Sequence, residues 1–344
     1  MIDKETVVFI VHTEYHLLQA IGIIESYYHT EKYHPIIYRV SPISNGRLCN
    51  INKQYLNADY KEFLYDYRRP DNKIKGWIYE LIFFKPSILF LFNEDKFWTT
   101  YLLKKLHSIS CRIVLAPDGA KVYDNFHLRG IGLFVKYIKN IYFSIRTGLL
   151  FPFPSVERCY ASNRFIDEVW VEYPQSYINN TRKKVVQYSI TEWDRTRTIM
   201  NRVFGYDSKD VPDKPIILYI DSSITEESYY NKVIKLLQTI QKLYPEYPLY
   251  IKCHPVSGDV ARTHFKALEN VHFMKTDIPA ELIIASLSNS ILVSVVSTSM
   301  LLNNPSCKYM WFYPYFSEII DNKSFKNPTT HIKEYSSLLF GRDE

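Results

Sequence analysis

Short apolar runs alternate with amphipathic stretches along most of this 344-residue chain, and that alternation constrains its fold more than any other feature. Val7 to Val11, Ile36 to Val40, Ile88 to Phe92, Arg112 to Leu115 and Glu168 to Glu172 read as short strands. Tyr15 to Tyr28 carries Leu17, Leu18, Ile21 and Ile24 on one helical face, and Lys96 to His107 repeats the helical pattern. Strands that alternate with helices at this spacing predict parallel sheets of Rossmann-like type.

The stretch from Gly205 to Pro215 interrupts this order: it is polar, carries two prolines and has the composition of a domain boundary. Beyond it the alternation resumes. Strands are expected at Ile216 to Ile220, Leu249 to Cys253, Val271 to Met274, Ile291 to Val295 and Lys308 to Phe312. Helices are expected at Glu226 to Leu243, Ala261 to Leu268 and Pro279 to Ala285, with another opening at Ser297. The length suits two domains. We expect a Rossmann-like unit over 1–205, a second over 206–325, and a tail over 326–344 that packs back on the first. Two such units predict a ligand cleft between them.

Composition narrows the partners. A hydrophobic fraction of 47% and a charged fraction of 23% exclude a mainly disordered chain. The net charge of +6 is mild, and the longest basic cluster is Arg182-Lys183-Lys184, so a nucleic-acid partner is not expected. An anionic small molecule or the anionic inner face of a membrane suits the balance better. The five cysteines at 49, 111, 159, 253 and 307 form no CxxC pair, which predicts free thiols in a reducing compartment and no zinc site. The opening apolar run is short and reads as a first buried strand, not a signal peptide. No stretch approaches the length of a membrane span. From Ile131 to Pro154, Lys136, Lys139 and Arg146 interrupt an aromatic and aliphatic pattern. That segment suits either a buried helix plus loop or a helix lying on a membrane surface. The expected location is cytoplasmic, with peripheral contact on the inner face of the plasma membrane as an extension.

The familiar phosphate-binding, zinc-protease and nucleophile-elbow signatures are absent, and so is any Asp-x-Asp pair. No metal or cofactor is therefore expected, and an anionic donor must be held by protein groups. Lys252 and His254 fall on one face at the end of a strand, with Cys253 opposite and Pro255 as the stop. A cation beside an imidazole suits a phosphate, and the competing reading is a core or loop histidine. Ser297 and Thr298 follow another strand, where hydroxyls at a helix start can bind an anion or simply cap the helix. Asp118, in Pro117-Asp118-Gly119, and Asp221, in Tyr219-Ile220-Asp221, each follow a strand and are alternative general bases; Asp-Gly is also an ordinary turn signal.

Taken in order, these segments resemble the bacterial sialyltransferases of GT-B fold, including the polysialyltransferase-like and lipooligosaccharide enzymes. The resemblance rests on Pro117-Asp118-Gly119 for an acidic-Gly motif, Lys252-Cys253-His254-Pro255 for Lys-x-His-Pro, and Ser297-Thr298 for Ser-Ser/Thr. Ile278-Pro279-Ala280-Glu281 is similar to the family's Ile-Pro-x-Glu segment and lies 16 residues before Ser297. The opening Val11-His-Thr-Glu-Tyr-His-Leu-Leu18 is also similar to such enzymes. Pro117 departs from the pattern, where a first acid is usual, so Asp118 and Asp221 both stand as candidate bases.

The resemblance implies an α/β, GT-B-like fold of two Rossmann-like domains with a central cleft. It implies metal-independent, inverting transfer of a sialic acid from CMP-sialic acid to a glycan, including a lipid-linked one. Asp118 (or Asp221) would be the base, and His254 the general acid or phosphate stabiliser. Lys252, Ser297 and Thr298 would hold the phosphate, and Glu281 the ribose. Two alternatives stand beside this: a GT-B transferase using CMP-Kdo, another nonulosonic acid or a UDP-sugar, and a non-catalytic glycan-binding or capsule-assembly protein. Loops at Tyr65 to Arg69 and Asp124 to Arg129 are candidates for the acceptor.

Overall fold

Strands that are apolar on both faces need helices above and below them, and the central strands of this chain meet that requirement. The computed structural model describes residues 4–42, 51–66, 69–124, 127–149, 156–191, 193–207, 209, 211–255, 257–320 and 327–338. The chain divides into two compact units, Met1–Gly205 and Tyr206–Glu344. Helix α5 (Trp193–Phe204) ends the first unit, and Gly205 stops it with φ +60, a left-handed value that glycine adopts without a Cβ clash.

The first unit is built on seven parallel strands: β1 (Glu5–Val11), β2 (Tyr33–Pro42), β3 (Asp59–Tyr65), β4 (Ile88–Leu91), β5 (Arg112–Leu115), β6 (Glu168–Val171) and β7 (Lys184–Gln187). They lie in the order β3-β2-β1-β4-β5-β6-β7. Val8 sits opposite Ile36 on one side and Leu89 on the other, so the order reverses at β1. Val7 to Val11 and Leu89 to Phe92 are fully buried, with the rings of Phe9 and Phe90 stacked at 4.7 Å. Each such side chain contributes roughly 1.5–3 kcal/mol by leaving water. The remaining helices are α1 (Glu14–Ile23), α2 (Lys73–Phe83), α3 (Thr99–His107) and α4 (Gly130–Arg146). A π-helical turn, Ile24–Tyr28, continues α1.

The second unit repeats the scheme with β8 (Ile217–Ile220), β9 (Leu249–Lys252), β10 (Val271–Phe273), β11 (Ile291–Ser294), β12 (Lys308–Trp311) and β13 (Ile332–Glu334). Their order is β10-β9-β8-β11-β12-β13, every pairing is parallel, and the reversal falls at β8. Helices α6 (Glu227–Leu243), α7 (Gly258–Phe265) and α8 (Ala280–Ser286) complete it. The buried side of α6 presents Tyr229, Tyr230, Val233, Leu236, Leu237 and Ile240, spaced as one helical face. Buried phenols here are paired: Tyr229 Oη lies 2.9 Å from Tyr219 Oη and 2.7 Å from Ser222 Oγ. Such pairing removes the cost of an orphaned hydroxyl in a core.

Some elements differ from expectation. Over Ile332–Glu334 the tail forms a strand that pairs with β12, because the parallel sheet offers an open edge there. The helix expected at Ser297 is a single 3-10 turn, Thr298–Leu301, closed by Asn303, Asn304 and Pro305. Strands β3 and β7 had no apolar run to announce them: as edge strands they alternate or end in charge, the usual protection of an open edge. Helix α4 buries only Asn140, Phe143 and Ser144, so it is not the core helix that its composition allows. Residues 150–155, part of that segment, lie outside the described residues, as do Tyr67, Arg68, Asn125 and Phe126 of the two candidate acceptor loops and Cys49. The other four cysteines are free. Among the described residues no helix is long and apolar enough to cross a membrane.

Candidate functional site

In doubly wound sheets, ligands gather at the carboxyl ends of the strands where the order reverses. In the first unit the chain leaving β1, β4 and β5 brings His12, Asn93 and Asp118 to that edge. Thr13 caps α1 by accepting the His16 N–H at 3.2 Å, which places the His16 side chain over the same edge. The ring stacks on Phe92 at 4.9 Å. His16 Nδ1 faces the His12 backbone N–H at 3.3 Å and must accept, so Nε2 carries the hydrogen and donates to Asp118 Oδ1 at 2.8 Å. Asn93 Nδ2 donates to the other oxygen at 2.9 Å.

Gly119 follows with φ +63, so the chain turns away at once and leaves the carboxyl at the strand end. Tyr160 Oη pins the approach by donating to the Ala116 carbonyl at 2.7 Å. Burial alone would raise the Asp118 pKa, but the hydrogen bond from His16, then the Lys121 charge and the Asn93 hydrogen bond, outweigh it and hold the carboxyl well below its ordinary range. About a quarter of the side chain stays exposed. Asp118 is therefore an ionised, fixed and reachable acceptor.

A buried acidic group lies on the same side of the unit. Glu157 is paired with Lys121 at 2.6 Å, and Glu94 accepts the Ser162 and Asn163 N–H groups at 2.8 Å each. Burial, followed by the Glu157 charge, pushes the Glu94 carboxyl up to about 8. His12 donates through Nδ1 to the Val40 carbonyl at 2.7 Å, which leaves Nε2 a bare lone pair, enclosed and without a hydrogen-bond partner. Burial and then the Lys96 charge lower this imidazole to about 3.

In the second unit Asp221 follows β8. It is 2% exposed; Oδ2 accepts from Ser257 Oγ at 3.3 Å and, at the limit of 3.5 Å, from the His254 N–H. Oδ1 is buried with no hydrogen-bond partner, and burial pushes the carboxyl up to about 6. This geometry ties the loop after β9 to the end of β8 and leaves little room to meet a substrate. His254, two residues past β9, is half-buried; burial, then the Lys252 charge, lowers its pKa. Lys252 is 4% exposed, and its Nζ donates to the Thr276 carbonyl at 2.9 Å. Its positive field reaches His254, but its ammonium is already engaged with backbone. Cys253 turns into the core, as strand alternation requires.

The two remaining motifs meet through Ser299, the residue that follows Ser297-Thr298. Ser299 Oγ donates to Glu281 Oε1 at 2.7 Å, joining the first turn of α8 to the 3-10 turn after β11. Ser297 caps that turn by accepting the Ser299 N–H at 3.3 Å, and Thr298 is half-buried beside it. Four residues of 3-10 helix carry little dipole, so hydroxyls are the main offering of this segment. Burial raises the Glu281 carboxyl, against the Ser299 hydrogen bond and the Lys252 charge. Asn93, His16, His12 and Ser299 escaped the residue-by-residue reading. The two histidines, four apart across a strand-to-helix junction, were its one available signal. Among the described residues no cluster of His, Cys, Asp and Glu has the arrangement of a metal site.

No protein-family model matches the sequence, and no curated protein matches it. Solved structures do match in fold. A 2,6-sialyltransferase from Photobacterium sp. JT-ISH-224, solved with CMP and lactose, is 13% identical with a TM-score of 0.55, over 90% of this chain and 71% of that one. The UDP-N-acetylglucosamine 2-epimerase from Rickettsia bellii is 12% identical with a TM-score of 0.52, over 90% and 79%. S. aureus MnaA, solved with UDP, is 12% identical with a TM-score of 0.51, over 86% and 75%. The fold is GT-B-like: two parallel-sheet Rossmann-like units. At these identities the likeness is one of fold.

Proposed function

We propose that this chain is an inverting, metal-independent glycosyltransferase that moves a sialic (nonulosonic) acid from a CMP-sugar to a glycan hydroxyl in capsule, O-antigen or lipooligosaccharide assembly. The observation that carries the reading is the 2.7 Å contact between Ser299 and Glu281, which brings the Ile-Pro-x-Glu segment against the residue next to Ser297-Thr298. In this reading the second unit holds the donor. Glu281 accepts from the ribose hydroxyls, Ser297 and Thr298 donate to the phosphate, and His254 protonates or hydrogen-bonds the departing phosphate oxygen. Lys252 adds positive field from its backbone-anchored position. The lowered pKa leaves free His254 neutral, and an incoming phosphate charge would draw a proton back to it.

The first unit supplies the base. Asp118 takes the acceptor hydroxyl proton as that oxygen bonds to the anomeric carbon, and the bond from that carbon to the phosphate oxygen breaks, releasing CMP. The reaction belongs in the cytoplasm, where free thiols persist.

The GT-B fold also serves the UDP-sugar enzymes named above, so nucleotide choice is the deciding test. In a thermal-shift panel of CMP, UDP and GDP, we expect CMP alone to stabilise the chain, by about 2.7 kcal/mol at a hundredfold excess over Kd. Glu281→Gln should abolish most of that shift. Stabilisation by UDP instead would move the reading to a UDP-sugar enzyme. No nucleotide response, together with no CMP release from any CMP-sugar, would favour the non-catalytic glycan-binding reading.

A further inference from the structure

Helix α4 is anchored to the first unit along one side: Phe143 meets Phe97 at 5.4 Å, Lys136 pairs with Asp95, and Asn140 and Ser144 are buried. Its opposite side carries Ile131, Phe134, Val135, Ile138, Tyr142 and Ile145, exposed by between 48% and 82%. Their spacing puts all six on one stripe about 100° wide, along a helix about 25 Å long. Scattered exposed apolar residues are normal, but a contiguous stripe marks an interaction surface. Gly130–Arg146 holds no Asp or Glu, the exposed Lys139 and Arg146 border the stripe, and the exposed Arg129 precedes the helix. Arg146 Nη1 donates to the Tyr142 hydroxyl at 3.2 Å, which fixes a cation beside the apolar face.

We infer that α4 is a membrane-docking helix that seats its apolar stripe in the headgroup region of an anionic bilayer, with its bordering cations on lipid phosphates. Charge selects the occupant. A second copy seated stripe to stripe would bring like charges together with no acid on either helix to offset them, whereas anionic lipid supplies the opposite sign. The chain's net +6 acts in the same direction. Interfacial helices of this kind combine an apolar face with basic flanks and low overall hydrophobicity. The inference is independent of the donor assignment, since it uses none of the proposed site residues.

The test is co-sedimentation of the full chain with extruded vesicles of phosphatidylcholine, or of equal parts phosphatidylcholine and phosphatidylglycerol. We expect the mixed vesicles to bind at least roughly tenfold more tightly than the neutral ones, and high salt to weaken the difference. The double variant F134S/I138S should lose vesicle binding by roughly tenfold or more, as should K139E/R146E. All four side chains are exposed, so thermal melting and CMP stabilisation should be unchanged. Failure of the wild-type chain to bind mixed vesicles would overturn the inference, as would undiminished binding by F134S/I138S. So would light scattering showing a dimer that F134S/I138S converts to monomer, which would assign the face to a second copy.

Discussion

The first strand of each unit ends in a titratable residue, His12 after β1 and Asp221 after β8, and each has one enclosed atom without a hydrogen-bond partner. Both are driven toward their neutral forms, His12 down to about 3 and Asp221 up to about 6. Asp118 stands in contrast. It too is at a strand end, but both of its oxygens accept side-chain hydrogen bonds, and it stays ionised while keeping contact with solvent. Burial without adequate partners neutralises a group, whereas burial with charged and donating partners holds its charge in place. That difference separates the two candidate bases: Asp118 has the accessible geometry, and Asp221 has the geometry of a loop tie.

The sharpest way to break this contrast is to exchange the roles by mutation. Asp118→Asn should cut CMP release in the presence of acceptor by about 10²- to 10⁴-fold, with little change in nucleotide-induced stabilisation. Activity within a few-fold of wild type would remove Asp118 as the base. A smaller effect is expected behind it. His16→Ala removes the donor to Asp118 and should lower kcat by roughly tenfold. Because that donor holds the carboxyl low, its loss should also move the acidic limb of the rate profile to higher pH, with His16→Gln restoring part of the shift. An unmoved limb would mean that His16 serves packing alone.

The smallest effect is expected at Asp221, and it concerns stability. A folded-state pKa raised above the unfolded value means that the buried charge opposes folding above about pH 6. As pH falls from about 6 toward the unfolded value, the folded state takes up the proton first and this cost fades. Asp221→Asn should therefore match or exceed the wild-type unfolding free energy at pH 7.5, by up to about 3 kcal/mol in a denaturant titration, with the difference gone below pH 4. A strongly destabilised variant would show that the long contacts to Ser257 and His254 are worth more than the buried charge costs. If the variant is stable but inactive, Asp221 rather than Asp118 becomes the base.

Much of the fold was legible because central parallel strands carry their signal locally. Val7 to Val11 and Ile217 to Ile220 are buried on both faces, and an unbroken apolar run is the direct consequence. Edge strands carry no such signal. Lys184–Gln187 and Ile332–Glu334 are short and charged, and they become strands only because a neighbouring strand offers unpaired backbone. Residues 298–301 show the opposite failure, since a good capping serine preceded a segment too short to continue as an α-helix.

For the site, strand-end position alone picked out Asp118, Asp221, His254 and the serine-threonine pair. Sequence order could not show that Ser299 faces Glu281, that Asn93 and His16 converge on Asp118, or that Lys252 spends its ammonium on the Thr276 carbonyl. Those are contacts between residues 18 to 102 positions apart, fixed by strand order and loop packing. The sequence by itself determined the period of the pattern, and with it two parallel sheets and the strand ends where polar residues collect. The tertiary structure decided which of those residues are paired, which are enclosed and which meet solvent. It also decided that the apolar face of α4 lies outside the core. Burial and electrostatic pairing depend on neighbours that the local sequence does not contain.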